Sequence, residues 1–200
     1  MSVATRRDGE TWKEWRAELV ADMLRVAARD RWGLALMAVG WIHLAFFLVM
    51  QALFARGERG SILFLSLWAG ELAANLFALR SIAGRGWIRS TPLAGLLARI
   101  WATFLILSFN VVSLNQLSGW QTDWFKPIWA TLSTFGFAAT AYVTSVWMFV
   151  PAVQMYFTGL LMTAFPGWNY AIYGVSWCLA LQGVGLTLER RRRRGLDETA

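Results

Sequence analysis

The strongest constraint on the fold is a long uncharged segment, residues 127–188, which contains no Asp, Glu, Lys, Arg or His. A membrane-spanning helix needs about 20 mainly apolar residues, so this segment has room for roughly three spans. Proline and glycine interrupt helices, which makes Pro151 and the pair Pro166 and Gly167 the natural breaks. We therefore expect spans at residues 127–147, 148–165 and 168–188.

The composition of the whole chain agrees with a membrane protein. Hydrophobic residues make up 57% of the 200 positions and charged residues 16%, and the mean hydropathy is +0.44. A soluble domain averages about 45–50% apolar and about 25% charged residues. The predicted fold class is all-α: a polytopic integral membrane helical bundle, preceded by an amphipathic helix.

The N-terminal half adds three further spans to this bundle. Residues 32–55 carry no formal charge, and residues 61–79 are apolar except for Glu71 and Asn75. Thr91 and Pro92 have the form of a helix cap followed by proline at the first helical position. They start an interfacial lead-in to a third span at residues 100–117, which places Asn110 near mid-depth. Six transmembrane helices are expected, with four as the alternative if part of the last segment is re-entrant.

The distribution of positive charge predicts the topology. The net charge is +7, and the basic residues lie at the ends of the apolar segments, as the positive-inside rule requires. An even number of spans puts most of them on one side, so we expect both termini in the cytoplasm of a bacterial-type inner (plasma) membrane. The same distribution argues against nucleic acid as a partner. The expected regions are a cytoplasmic helix (1–31), the bundle (32–188) and a basic cytoplasmic tail (189–200).

The first region is predicted to be an amphipathic helix. Thr11 and Glu14 have the spacing of a capping box, and apolar residues then recur at steps of three and four: Trp12, Trp15, Leu19, Met23 and Val26. The acidic and basic residues on its other faces balance, whereas a helix that binds anionic lipid is rich in Lys and Arg. It therefore covers its own bundle or docks a partner, either a second copy or a membrane-complex subunit.

One pair of polar residues is the most specific functional signal. His43 lies about halfway along the first span and Glu71 about halfway along the second, and a short turn joins the two helices. Antiparallel neighbours bring such positions together, so we expect the imidazole and the carboxylate to meet. Asn75 lies one turn from Glu71 on the same face, and Asn110 of the third span is a further candidate neighbour at similar depth. An ionisable group at this depth marks a functional site or a polar clamp between helices.

Several chemistries are excluded by residue counts. One histidine and one cysteine cannot form a conventional zinc or di-iron site, and no glycine-rich phosphate loop is present. We expect no cofactor, no metal and no catalytic residues, and an enzyme is the less favoured reading. The leading prediction is a transport protein of channel or transporter type with a buried polar site. The alternative is a non-catalytic structural or regulatory subunit of a larger membrane complex.

Overall fold

A computed structural model describes residues 14–15, 17–21, 31–84, 86, 91–117 and 125–197, with backbone only for 194–197. Within these ranges the chain is helical and contains no strand. The six long helices are α1 (Trp32–Ala55), α2 (Ser61–Ile82), α3 (Pro92–Leu117), α4 (Phe125–Val143), α5 (Phe149–Ala164) and α6 (Asn169–Asp197). Two short 3₁₀ segments, Val146–Met148 and Pro166–Trp168, precede α5 and α6.

Most of the predicted N-terminal amphipathic helix, residues 1–31, lies outside the described residues, including Thr11. Residues 14–15 and 17–21 are helical, and Leu19 is buried. The stripe predicted for this segment therefore stays a prediction, except that one of its members is covered by the rest of the protein.

The first and last helices pack against each other in antiparallel directions. A Cβ on Gly33 would lie 2.6 Å from the Gly185 carbonyl oxygen, and a Cβ on Gly174 would lie 2.6 Å from the Phe47 Cβ. Contacts thus pair the start of α1 with the end of α6 and the end of α1 with the start of α6. Glycine permits this close approach because no side chain separates the two backbones.

One of the two expected helix breaks is present, and the other lies at a different position. The break at Pro166 and Gly167 is present as a 3₁₀ turn between α5 and α6. The preceding break does not lie at Pro151: Ser145 is extended (φ −140°, ψ 141°) and α5 begins at Phe149. Pro151 falls in the first turn of α5, where its missing N–H has no intrahelical partner to lose.

The third helix is continuous rather than divided into a lead-in and a span. The backbone N–H of Ala94 donates to the Thr91 hydroxyl at 3.0 Å, which confirms the predicted cap. From Pro92 the helix runs 26 residues to Leu117, about 39 Å at ~1.5 Å per residue. That length exceeds the ~30 Å hydrocarbon thickness of a bilayer, so one helix includes both predicted parts.

The last helix is longer than expected. We predicted its end at Leu188, but α6 continues through the arginine run to Asp197. Glu189 supports the extension, because its carboxylate accepts hydrogen bonds from Arg192 at 2.6 and 3.0 Å, and from Arg193 at 3.4 Å. The basic tail is thus, in its described part, an extension of the sixth helix.

Aromatic side chains dominate the interior. One cluster centres on Phe47, Met162 and Tyr173, and a second contains Phe137 and Met155. Trp177 packs against both clusters. Helices α1 and α6 form the centre, α2 packs against α1, α5 packs against α4 and α6, and α3 packs against α4. The peripheral helices α2 and α3 bury few residues.

Among the described residues, five helical segments are long and apolar enough to cross a membrane. They correspond to α1, α2, α3, α5 and α6, with α5 and α6 counted together with the 3₁₀ turns that precede them. Helix α4 is not one of these five; it carries Lys126 and several hydroxyl side chains, which lower its apolar character. Several long apolar helices are compatible with a multi-pass membrane protein.

Candidate functional site

The structure brings His43 and Glu71 into direct contact. His43 Nδ1 lies 2.6 Å from Glu71 Oε1, and the same oxygen accepts a hydrogen bond from the Asn75 amide at 3.0 Å. His43 is 8% exposed and Glu71 2% exposed. Both sit in the middle of their helices, so the turn between α1 and α2 sets the register that aligns them. We call His43, Glu71 and Asn75 the polar cluster.

Aromatic rings surround the imidazole of this cluster. His43 stacks on Phe47 with ring centroids 4.2 Å apart, and the rings of Trp177 and Tyr173 lie 5.4 and 5.7 Å away. Phe47 lies one turn after His43 on α1, and the other two rings come from α6. Because these rings are apolar and the pair is buried, His43 and Glu71 lie in a low-dielectric environment where charge is costly.

Half of the polar atoms in the cluster lack a partner in the described part of the protein. His43 Nε2, Glu71 Oε2 and Asn75 Oδ1 are each buried and make no hydrogen bond there. A buried polar atom without a partner typically costs about 1–3 kcal/mol. Native proteins keep few such atoms, and groups of them occur where a proton, water or ligand is bound.

Asn110 does not join the polar cluster. The sequence prediction placed it there by depth alone, but its side chain is exposed on the outer face of α3. Ser108 is the buried polar residue of this helix, on the same stripe as Trp101 and Phe104. Two residues along an α-helix amount to a rotation of about 200°, so Ser108 and Asn110 face opposite directions.

A second polar network, which the sequence did not reveal, lies on the other side of Tyr173. Ser133 donates to the Trp129 carbonyl at 2.8 Å. Its oxygen then accepts from the Tyr173 hydroxyl at 2.8 Å and from Trp177 Nε1 at 3.2 Å. One donor and two acceptor sites are the full capacity of a serine hydroxyl, so this network is satisfied. We interpret it as structural, since it fixes the two aromatic side chains that contact His43.

A third network joins α5 to α6. The Gln154 amide donates to the Ser176 carbonyl at 2.8 Å and to its hydroxyl at 3.1 Å. The Ser176 and Thr158 hydroxyls also form a hydrogen bond. Gln182 of α6 donates to the Met37 carbonyl of α1 at 2.9 Å. Tyr156 of α5 is exposed.

The end of the bundle near the start of α6 also holds buried polar residues. Gln51 donates to the Gly167 carbonyl at 2.7 Å and accepts from the Ala171 N–H at 3.2 Å, so it caps α6. Lys126 is also buried. Its ammonium lies 3.9 Å from the Phe54 ring centroid and 4.9 Å from that of Tyr170. Cation–π contacts of this kind stabilise an ammonium away from water.

The net charge of the polar cluster depends on whether the His43–Glu71 pair holds one additional proton. With a neutral imidazole and an ionised carboxylate the pair carries one negative charge. Uptake of one proton gives either an imidazolium–carboxylate pair or two neutral groups, and both have zero net charge. Among the described residues no group of three or more His, Cys, Asp or Glu could hold a metal ion.

Comparison with protein-family models, with curated proteins and with solved structures finds no match to this chain.

Proposed function

We propose that this protein is a small membrane transport protein of channel or transporter type, in which Glu71 and His43 form a proton-exchanging site inside the bundle. The observation that supports this most directly is the 2.6 Å contact between the imidazole and the carboxylate. Glutamate is costly to keep at this depth, and such residues in membrane helices commonly serve proton or ion pathways.

The unpartnered atoms of the pair support the same role. Each of His43 and Glu71 uses one polar atom within the pair, and leaves the other, Nε2 or Oε2, without a described partner. A proton relay needs a second atom on each group, because a proton arrives at one atom and leaves from another.

The proposed membrane topology has six crossings with both termini in the cytoplasm. Its support is the antiparallel packing of α1 and α6, since the first and last crossings run in opposite directions only if their number is even. The arginines at the end of α6 and those in the loop after α2 then lie on the same side, as the positive-inside rule requires. The plasma membrane of a bacterium is the proposed location.

The test is proton flux into vesicles that contain the purified protein. A pH-sensitive dye is enclosed, and a potassium gradient with valinomycin provides the driving potential. We expect a flux in the wild-type protein and a fall to the level of protein-free vesicles for Glu71→Gln. The matched control is Glu58→Gln, the same chemical change in the exposed turn between α1 and α2, which should leave the flux unchanged.

Two results would contradict this proposal. One is a wild-type flux no larger than that of protein-free vesicles. The other is a flux that survives Glu71→Gln while the variant is expressed and inserted normally.

The second candidate function is a structural or regulatory subunit of a larger membrane complex. A specific observation favours it: only 11% of the apolar window of α2 and 6% of that of α3 is buried within the chain. In this role the Glu71–His43 bond holds α2 against α1, and the outer helices contact other subunits. Native pull-down from membranes in mild detergent tests it, because a partner protein should then co-purify with the chain. Removal of residues 1–31 shows whether the N-terminal segment contributes to that contact.

A further inference from the structure

The outer face of α3 carries a polar residue at its centre. Five exposed residues recur there at steps of three and four, and we call them the Asn110 face: Thr103, Ile106, Asn110, Leu114 and Leu117. Ile106 is 68% exposed and Leu117 85% exposed. At about 100° per residue, the other four all lie within ~40° of Asn110 around the helix axis.

This face points away from the rest of the bundle. Trp101 packs against Phe137 with ring centroids 5.0 Å apart, and Phe104 lies 6.0 Å from Trp177. Both residues are on the side of α3 opposite Asn110. The members of the Asn110 face are all exposed, which shows that none of the described helices packs on it.

The depth of Asn110 makes its exposure costly. Its neighbour Phe109 stacks on Trp68 of α2, with ring centroids 6.2 Å apart. Asn110 therefore lies at about the depth of Trp68, which is well inside α2 and not at its end. It is also seven residues from the end of α3, about 10 Å along the axis. A carboxamide at this depth has no water to bind, and such side chains in membrane helices form hydrogen bonds across helix interfaces.

We propose that the Asn110 face is the interface with a second copy of this chain, in which the two α3 helices pack in parallel. In a dimer whose two-fold axis is parallel to the membrane normal, residue 110 has the same depth in both copies. A carboxamide both donates and accepts, so two Asn110 side chains complement each other. The flanking apolar residues supply the seam, and a single polar residue within such a seam fixes its register.

A second copy of the chain meets the requirements of the Asn110 face with fewer conditions than a different protein does. A different protein would have to present a polar group at the same depth opposite Asn110, with apolar residues at matching steps on both sides. The symmetry of a homodimer provides both conditions without further residues. The proposal is independent of proton exchange at Glu71, because the Asn110 face lies on the opposite side of α3 from the bundle interior.

Cysteine cross-linking in native membranes tests the geometry. The only natural cysteine, Cys178, is first replaced by alanine, and a single cysteine is then introduced by Ile106→Cys. We expect oxidation to give a covalent dimer. The control is Val153→Cys, on an exposed position of α5, which should stay monomeric. A monomer at Ile106→Cys, or equal cross-linking at both positions, would overturn the proposal.

The role of the carboxamide is tested by the dimerisation constant in lipid vesicles, measured by energy transfer between labelled copies. Asn110→Leu should weaken association roughly 3- to 20-fold, the range that interhelical hydrogen bonds in membranes span. Gln116→Leu is the matched control, because Gln116 is an exposed amide on another face of the same helix. If both variants associate as the wild type does, or if the wild type is monomeric, lipid covers this face and the proposal is wrong.

Discussion

Helix α1 has two interfaces that differ in kind. Against α6 it packs through glycines, so closely that an added Cβ on Gly33 or Gly185 would lie 2.6 Å from the carbonyl oxygen of the opposite glycine. Against α2 it makes a buried polar contact, between His43 and Glu71. The first interface depends on close packing along the whole helix, and the second depends strongly on one hydrogen bond. A substitution should therefore act by steric overlap in one interface and by loss of polar pairing in the other.

The glycine interface should give the largest loss of stability. In Gly185→Ala the new methyl would lie 2.6 Å from both the Gly33 carbonyl oxygen and Met37 Cγ, so the helices must separate. We expect a loss of about 3 kcal/mol in the free energy of unfolding, the upper part of the range for overpacked cores. The measurement is denaturant unfolding in detergent micelles.

Gly183→Ala provides the control, since a Cβ at this exposed position of the same helix meets no atom within 4 Å. It should be neutral or more stable by about 0.5–1 kcal/mol, because alanine favours the helix over glycine. Equal destabilisation by both changes would show that the interface is not tightly packed.

A substitution in the polar interface between α1 and α2 should cause a smaller loss of stability, and a second substitution should restore most of it. Glu71→Leu leaves the His43 imidazole buried without its acceptor, and we expect a cost of about 2 kcal/mol. Adding His43→Leu removes the unpaired group, so the double variant should recover most of that stability. Unfolding of the four proteins in a double-mutant cycle gives the coupling energy. Additive effects would mean that the two side chains do not interact.

Loss of the hydrogen bonds that Ser133 makes behind His43 should cause the next largest loss of stability. Ser133→Ala removes the acceptor shared by the Tyr173 hydroxyl and Trp177 Nε1, and should cost about 1.5 kcal/mol through the unpaired donors. Thr134→Ala is the neighbouring control, because its hydroxyl donates to the Ala130 carbonyl of its own helix. Thermal unfolding followed by tryptophan fluorescence separates the two, and similar midpoints would contradict the assigned role of Ser133.

The smallest expected effect concerns the cap of α6. Gln51→Leu removes the side-chain acceptor of the Ala171 N–H, and loss of such a cap costs about 1 kcal/mol. Hydrogen exchange at the first turn of α6 should rise, while exchange near Gly185 stays unchanged. Protection that persists at Ala171 would show that the cap does not control this end of the helix.

The sequence predicted helix positions and the His43–Glu71 contact better than the packing of the bundle. Charge-free segments and turn residues located the helices, and α1 has the expected bounds, 32–55. The contact could be anticipated because ionisable residues are rare in these spans and a short turn fixes the relative depth of two helices. Whether the pair is functional stays a prediction.

Angular position around each helix could not be predicted in the same way. In a soluble helix the polar face shows which side is outside, but in α3 both sides are apolar. Asn110 and Ser108 were therefore indistinguishable by pattern, although one is exposed and the other buried. The sequence also did not show that glycines of α1 and α6 pack together, because the two helices lie far apart in the chain and no local pattern reveals their contact.

The pairing of α1 with α6 has a consequence for biosynthesis. The first helix leaves the ribosome long before the helix that covers its glycine surface has been translated. During that interval α1 and α2 can form their hairpin, whereas the glycine surface of α1 lacks its partner helix. This closely packed interface can therefore form only after α6 has been translated.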